Sequence, residues 1–417
     1  MIDIKRLRDN PDETKKLLAR KNVPPEKVDA FLTLDKTWRE LIQKIDAARN
    51  ELNTLSKDRK VEEAKKVKQE LKAIEEQLPK IEAERDASLE HFPNPPFPDV
   101  IEGKSDADNK TIREVGEKPS FDGWQAKDYL TLGESLDLID VERAGKIAGS
   151  RFGYIKRELV LLEFALVQLA LETAIKEGFI PVIPPIMLKP EMLKAMGKLK
   201  FMEDKDAFFL AEDNLYLAGS AEHTIGPMHA EETFKEKDLP RRYIGFSTCF
   251  RREAGSYGKD TKGILRVHQF DKVELFSFTK PEDSENEHKL LLSIQEKLMQ
   301  ALKIPYRVVE VCTGDMGFGD ARQWDIEAWL PGQNKYRETH STSNTTDYQA
   351  RGLNTKYRKS DGKTEYLHTL NGTAFAIGRT LIAIIENYQT KEGSIRIPNA
   401  LSKYLSFKEI KKADQER

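Results

Sequence analysis

The residues best suited to chemistry lie between Tyr243 and Phe278, where YIGFSTCFRREAGSYGKDTKGILRVHQFDKVELFSF sets two β-rich runs around a loop with glycines at 255, 258 and 263. Side chains alternate along a strand, which puts Arg251 and Glu253 on one face. On the returning strand it groups Arg266, His268, Phe270 and Glu274. Guanidinium forks pair bidentately with phosphate, an aromatic ring stacks on a base, and a carboxylate holds an ammonium. The pattern fits a site for an anionic nucleotide on a long hairpin with a mobile basic tip, whose glycines let the backbone approach a ligand. A solvated hairpin laced with salt bridges is the plainer alternative, because charged faces of antiparallel sheets commonly meet water. Arg379, within HTLNGTAFAIGRTLIAIIENYQ, stands out for a different reason: an arginine among apolar neighbours is costly unless paired. If Gly372 begins a helix, Thr373 and Arg379 lie six apart and share a small site only where that helix is broken or starts late.

Such side chains need a frame. Residues 1 to about 27 read as a lead-in helix ended by Pro24-Pro25. From there Leu34, Trp38, Leu41, Ile45, Ala48, Leu52 and Leu55 alternate steps of four and three, the a/d seam of a coiled coil. After the polar bend SKDRK a second seam runs Val67, Leu71, Ile74, Leu78, Ile81, so the two fold back as one helical hairpin over about 30–90, with a kink expected at Pro79. A dimerising coil or a spacer would carry the same seam. HFPNPPFPDV is a stiff proline-rich linker and divides the chain into domains 1–98 and 99–417. Beyond it, Glu158 to Glu177 is an apolar helix stopped by Gly178, and it must bury more than one face, within its own domain or against a second subunit. Strands follow in FIPVIPPIML and on both sides of the glycine-rich turn of IPYRVVEVCTGDMGFGDARQWDIEAWLP, with an amphipathic helix over 284–303 between them. The class is α+β.

Composition excludes several roles. With 417 residues the chain has room for two or three domains, and 33% charged with 8% aromatic residues suits a soluble protein with a long exposed helical element. A net charge of −2 gives no global attraction to nucleic acid, so any RNA contact needs locally gathered Lys and Arg. Cys249 and Cys312 alone make neither a disulfide framework nor a cysteine zinc site. The start MIDIKRLRDNPDE lacks a signal-peptide core and no apolar run reaches membrane-spanning length, so a cytoplasmic protein with no membrane contact is expected.

The run Phe250-Arg251-Arg252-Glu253, followed by Val267-His268-Gln269-Phe270 and Glu274, resembles motif 2 of the class II aminoacyl-tRNA synthetases. The wording REAGSYGKDTKGILRVHQFDKVE is similar to that of the bacterial-type seryl-tRNA synthetases in particular. The apolar helix with Pro185 resembles motif 1, HTLNGTAFAIGR motif 3, and LAGSAE the serine-binding loop, with Ser220 where the family usually has threonine and HTIGPM departing from the usual wording. The paired seams are similar to the family's N-terminal antiparallel arm, here shorter than is usual.

The resemblance implies an antiparallel coiled-coil arm followed by a class II catalytic domain, a mainly antiparallel sheet flanked by helices. It implies that serine and ATP give seryl-adenylate and that the seryl group passes to tRNA(Ser), gripped by the arm, with tRNA(Sec) left open as a second acceptor. Arg251 on the α-phosphate and Arg379 on the γ-phosphate would be the catalytic pair. Arg252, Glu253, Val267, Phe270 stacked on adenine, Glu338, Thr339, His340 and Ser341 would complete the ATP site. Glu338 and Ser341 would hold Mg²⁺, a hard ion that takes one or two protein oxygens and completes its shell with phosphates and water; no zinc is expected. L-Serine would be bound by Ser220, Ala221, Glu222, Arg251, Glu274 and Thr373, with Glu222 on its ammonium and Glu274 and Thr373 on its hydroxyl. A homodimer through the motif 1 helix is implied as well. Two rivals are a ligase that loads a carrier protein, which has no need of the arm, and a non-catalytic paralogue. The second is at odds with the presence of Arg251, Glu253, Phe270, Glu274, Glu338 and Arg379 together.

Overall fold

The lead-in folds as two short helices, α1 (Ile4–Asp9) and α2 (Pro11–Ala19), and the proline pair begins the next helix where the sequence pattern had it ending one. Pro24 is the N-cap and Pro25 the first residue of α3 (Pro25–Lys57), positions where a fixed φ and a missing N–H cost nothing. After the bend, in which Arg59 is left-handed at φ 57, α4 (Val61–Glu90) runs back and stays helical through Pro79. The seam packs as the spacing predicts: Leu41, Ile45, Leu55 and Leu71 are buried, and the other seam residues are half-buried. Away from the bend, Asp35 is fully buried and accepts from Arg8 at 2.6 and 2.8 Å and from Arg39 at 3.1 Å, while Phe31 meets Phe92 edge-on at 5.7 Å.

The computed structural model describes residues 1–254, 260 and 262–412, and the chain divides into two compact units, Met1–Pro98 and Asp99–Arg417. The second unit is built on an eight-stranded sheet of β1 (Lys110–Val115), β2 (Ile180–Val182), β3 (Arg241–Phe250), β4 (Gln269–Thr279), β5 (Tyr306–Glu310), β6 (Arg322–Leu330), β7 (Lys335–Asn344) and β8 (His368–Ala376). Their order is β1-β5-β6-β7-β8-β4-β3-β2, antiparallel throughout except for β2 beside β3. Helices α5 (Glu158–Lys176), α6 (Ser284–Ala301) and α7 (Ile377–Asn387) pack with the sheet in one core, where Leu166, Val273, Leu291 and Ile384 are fully buried. The apolar α5 buries Leu162, Leu166 and Ala170 yet leaves Leu161 and Phe164 51% and 59% exposed. Among the described residues no helix is long and apolar enough to cross a membrane.

Two local expectations are corrected. The hairpin ladder ends at Phe250↔Gln269, so strand alternation does not set the faces of Arg251, Glu253, Arg266 and His268. The backbone turns away there, because Arg252 N–H donates to Asp206 O at 2.8 Å and Glu253 is left-handed at φ 54. Second, Gly372 lies on β8, and the helix starts late, at Ile377, after the chain has left the sheet. Of the loop glycines, Gly255 and Gly258 lie outside the described residues. Gly263 has φ +78, and a Cβ there would lie 2.0 Å from Tyr129 Oη, the atom that accepts from Ile264 N–H at 3.1 Å and donates to Lys262 O.

Candidate active site

Strands β3, β4, β8 and β7 lead into a cleft of about 910 Å³, and their pairing explains why it opens there. β7 and β8 pair only from Thr342↔Gly372 to Asn344↔Leu370, then part on the side that holds Glu338 and Ala376. Gln295 of α6, fully buried, bridges the split: its Nε2 donates to Ser341 O and to Thr373 O, each at 2.9 Å. Gly372 leaves room for that side chain, since a Cβ would come within 3.2 Å of Gln295 Nε2 and 3.0 Å of Thr342 Oγ1. A register shift after Val273 then sets Glu274 opposite Thr373.

One end of the cleft gathers two arginines, carboxylates and an aromatic ring. Arg251 donates from Nε to Gly219 O at 3.0 Å, and its guanidinium carbon lies 5.5 Å from the Phe270 ring centre. Glu253 is ion-paired with Arg266 at 2.5 Å. Arg379 stands in the first turn of α7, where free backbone N–H groups and the helix dipole favour an anion, and it contacts Glu338 through NH1, 2.9 Å from O and 3.2 Å from Oε2. Glu253, Val267, Glu338, Thr339 and Ser341 line the same cleft. Burial works most strongly, to raise the carboxyl of Glu338, but the charge and hydrogen bond of Arg379 with the charges of Arg251 and Lys272 together hold it below its ordinary value. Burial and the neighbouring Glu338 hold Asp325 well above its own. Gln323 Nε2 donates to Asp325 Oδ1 at 3.0 Å and to Ser341 Oγ at 3.1 Å. Crowded carboxylates beside a hydroxyl, all oxygen donors, fit a hard cation such as Mg²⁺. Among the described residues there is no group of three or more His, Cys, Asp or Glu arranged for a metal.

The other end gathers a buried carboxylate with cationic and neutral donors. Glu222 begins a helical turn at the end of the 217–222 loop and is only 5% exposed. Its Oε1 accepts from Lys198 at 3.0 Å, Gln349 at 2.8 Å and Asn371 at 3.3 Å. Burial is the largest effect on the Glu222 carboxyl and raises it, but the Lys198 charge, the strongest opposing effect, together with the hydrogen bonds from Lys198 and Gln349 brings it down to about 2. Ser220 Oγ accepts from Lys272 Nζ at 3.2 Å, and Lys272 is ion-paired with the buried Glu274, whose carboxyl burial pushes up. Thr373 lines the cleft beside them.

Five of the residues that the resemblance assigns to the site do not line the cleft. Glu274 lies beneath Lys272, and Ser220 and Ala221 are buried in the loop behind Glu222. Arg252 turns to Ala207 O and the face of Phe208, and the His340 ring is buried against Phe375. Conversely, Lys198, Lys272, Asn371 and Gln323 line the cleft without having been singled out, and Asp325, Gln295 and Gln349 support it. Lys272 was accessible to alternation, standing between Phe270 and Glu274 on β4, as was Asn371 two residues before Thr373. Lys198 and Gln349 reach Glu222 from a turn and from the helix Tyr348–Leu353, and no local pattern marks them.

Residues 1–96 match the seryl-tRNA synthetase N-terminal domain, and residues 208–388 match the tRNA synthetase class II core domain (G, H, P, S and T). Serine–tRNA ligases of Dictyoglomus turgidum and Dictyoglomus thermophilum are 42% and 44% identical, each alignment covering 99% of both chains. Among solved structures, the seryl-tRNA synthetase of Pyrococcus horikoshii complexed with ATP superposes with a TM-score of 0.94 at 40% identity, covering 99% of this chain and 100% of that one. The cytoplasmic serine–tRNA ligase of Naegleria fowleri in complex with AMP gives 0.91 at 33% identity, with 99% of each chain covered.

Proposed function

The chain belongs to the seryl-tRNA synthetase family, and from its cleft we infer how it activates L-serine with ATP to seryl-adenylate and passes the seryl group to tRNA(Ser). The observation that carries the reading is the juxtaposition, in one cleft, of an arginine over an aromatic ring with a buried, ionised glutamate fixed on one oxygen. In the first step a serine carboxylate oxygen attacks the α-phosphorus, the bond to the β-phosphate bridging oxygen breaks, and pyrophosphate leaves with that electron pair. No side-chain nucleophile is needed. The work is to hold two anions together, which falls to Arg251 at the α-phosphate and Arg379 at the γ-phosphate, with Phe270 under adenine, Glu253, Val267 and Thr339 completing the ATP site, and Arg252 and His340 supporting it from behind the wall. Glu338 and Ser341 would hold Mg²⁺, which when bound supplies neutralising charge to the phosphates.

Glu222 takes the serine ammonium, with Ser220 and Ala221 forming its loop. Thr373 meets the hydroxyl in the cleft, and Glu274, its register partner across β4 and β8, backs that position through its ion pair with Lys272. A site that hydrogen-bonds a substrate hydroxyl rejects an analogue lacking it by roughly 10⁴-fold, because its own polar groups would be stranded. ATP–pyrophosphate exchange with serine, threonine, alanine or glycine supplied separately is therefore expected to respond to serine and not to alanine or glycine, while threonine, which keeps the hydroxyl, is to be excluded by crowding of its extra methyl. Exchange with none of them would return the chain to the non-catalytic reading.

The arm of residues 1–98 is proposed to grip tRNA(Ser), with tRNA(Sec) left open as a second acceptor, in the cytoplasm. Lys57, Arg59, Lys66 and Lys68 stand exposed around its bend and supply the local positive charge that a net charge of −2 withholds. A homodimer is proposed through α5, whose exposed Leu161 and Phe164 would otherwise leave apolar surface in water. The double variant Leu161→Lys, Phe164→Lys should sediment as a monomer where the parent sediments as a dimer; unchanged sedimentation would move the interface elsewhere.

A further inference from the structure

Among the described residues, the hydrogen-bond and ion-pair partners of Glu222 gather on one of its two oxygens. Lys198, Gln349 and Asn371 all meet Oε1, and none of the three meets Oε2, the oxygen left for a substrate. Gln349 and Asn371 are neutral donors and can orient the carboxylate, but they do not compensate its charge. The charged and titratable groups around it come from several elements. Lys198 lies ahead of the helix Leu199–Glu203, His223 follows Glu222 in its own turn, Arg251 follows β3, Lys272 and Glu274 stand on β4, and Asp320 lies in the loop before β6. His223 is neutral, since burial holds its imidazole down to about 3 and Gly219 N–H donates to its Nδ1. Lys272 is taken by Glu274 and Ser220. Arg251 is tied to Gly219 O and directed at the nucleotide end. Lys198 is thus the cation dedicated to Glu222, at 3.0 Å, with its side chain 25% exposed to the cleft.

Resting on the ligase reading above, we propose that Lys198 is a positioning residue whose charge, rather than its hydrogen bond, keeps Glu222 an anion in the empty site with Oε2 free for the serine ammonium. Serine then meets a ready carboxylate at any physiological pH. A buried carboxyl stripped of its cation rises in pKa, so without Lys198 serine would have to displace a proton before binding. The effect belongs to amino-acid capture and not to phosphoryl transfer, so it appears in kcat/KM for serine and leaves kcat at saturating serine little changed.

The test is ATP–pyrophosphate exchange by the full chain from pH 6 to pH 8.5 at saturating ATP, with serine varied, for the parent, Lys198→Met, Lys198→Gln and Lys198→Arg. In both neutral variants the acidic limb of the profile is expected to move toward neutrality, so that the ratio of kcat/KM at pH 6 to that at pH 8 falls about tenfold below the parent's, while Lys198→Arg keeps the parent's profile. Lys198→Gln retains a donor toward Oε1, so a parental profile in that variant would assign the role to the hydrogen bond and overturn the proposal. Loss by one constant factor at every pH in both neutral variants would overturn it too, and thermal melting of each variant identifies misfolding as the source of such a loss. Absence of serine-dependent exchange in the parent itself would instead sink the ligase reading on which the proposal rests.

Discussion

Arg251→Ala is expected to lower serine-dependent ATP–pyrophosphate exchange by about 10²–10³-fold, the scale of removing one preorganised charge donor from a transition state. The fold should survive. The side chain is half-buried and, among the described residues, makes one hydrogen bond to the protein frame, Nε to Gly219 O, whose loss costs about 1 kcal/mol. The strand ends that carry Arg251 are held by other bonds, including Arg251 N–H to His268 O at 3.0 Å, and backbone bonds of this kind do not depend on the side chain. Exchange within threefold of the parent, in a variant with an unchanged melting temperature, would remove Arg251 from the phosphate site. Arg251→Lys separates charge from geometry: a point charge lacks the fork that meets two phosphate oxygens, so recovery should be partial.

Removing residues 45–78 and closing the gap with a short Gly/Ser turn should abolish tRNA charging while sparing serine activation. The deletion takes out the bend with Lys57, Arg59, Lys66 and Lys68, yet leaves Asp35 with Arg8 and Arg39 and Phe31 on Phe92 to hold the shortened helices together. If each of the four cations meets a phosphate, their loss lowers affinity on the order of 10²–10³-fold at physiological salt, given the steep dependence of such contacts on counterion release. Aminoacylation followed with labelled serine at limiting tRNA, beside pyrophosphate exchange in the same preparation, distinguishes the two activities. An unchanged charging rate would deprive the arm of its role.

How much of this was legible in the sequence depended on how local the cause was. The a/d steps from Leu34 to Leu55 and from Val67 to Ile81 marked the hairpin because each seam is written in consecutive turns of one helix. Pro24-Pro25 was legible as a break but not as to its direction, since a proline pair ends one helix or starts another with equal ease. The alternation of Phe270 and Glu274 was sound where β4 exists and failed at Arg266 and His268, where the ladder had already ended at Gln269. Family wording located Glu222, Glu338 and Arg379, but not what surrounds them. Lys198 and Gln349 on Glu222, Asp325 beside Glu338 and Gln295 between two strands are contacts between segments tens to hundreds of residues apart, and composition or period carries no trace of them.

Gln295 has a consequence for how such a site can change. It sets the spacing of β7 and β8 through the main-chain oxygens of residues 341 and 373 and touches neither side chain in doing so. The distance between the nucleotide end and the amino-acid end is therefore independent of which residues stand at those two positions. Ser341 and Thr373 can be exchanged during redesign or drift, altering what is recognised, without re-spacing the strands that recognise it. Gln295 and Gly372 have no such latitude: one fills the split and the other makes room for it, so variation in specificity should accumulate around them and not at them.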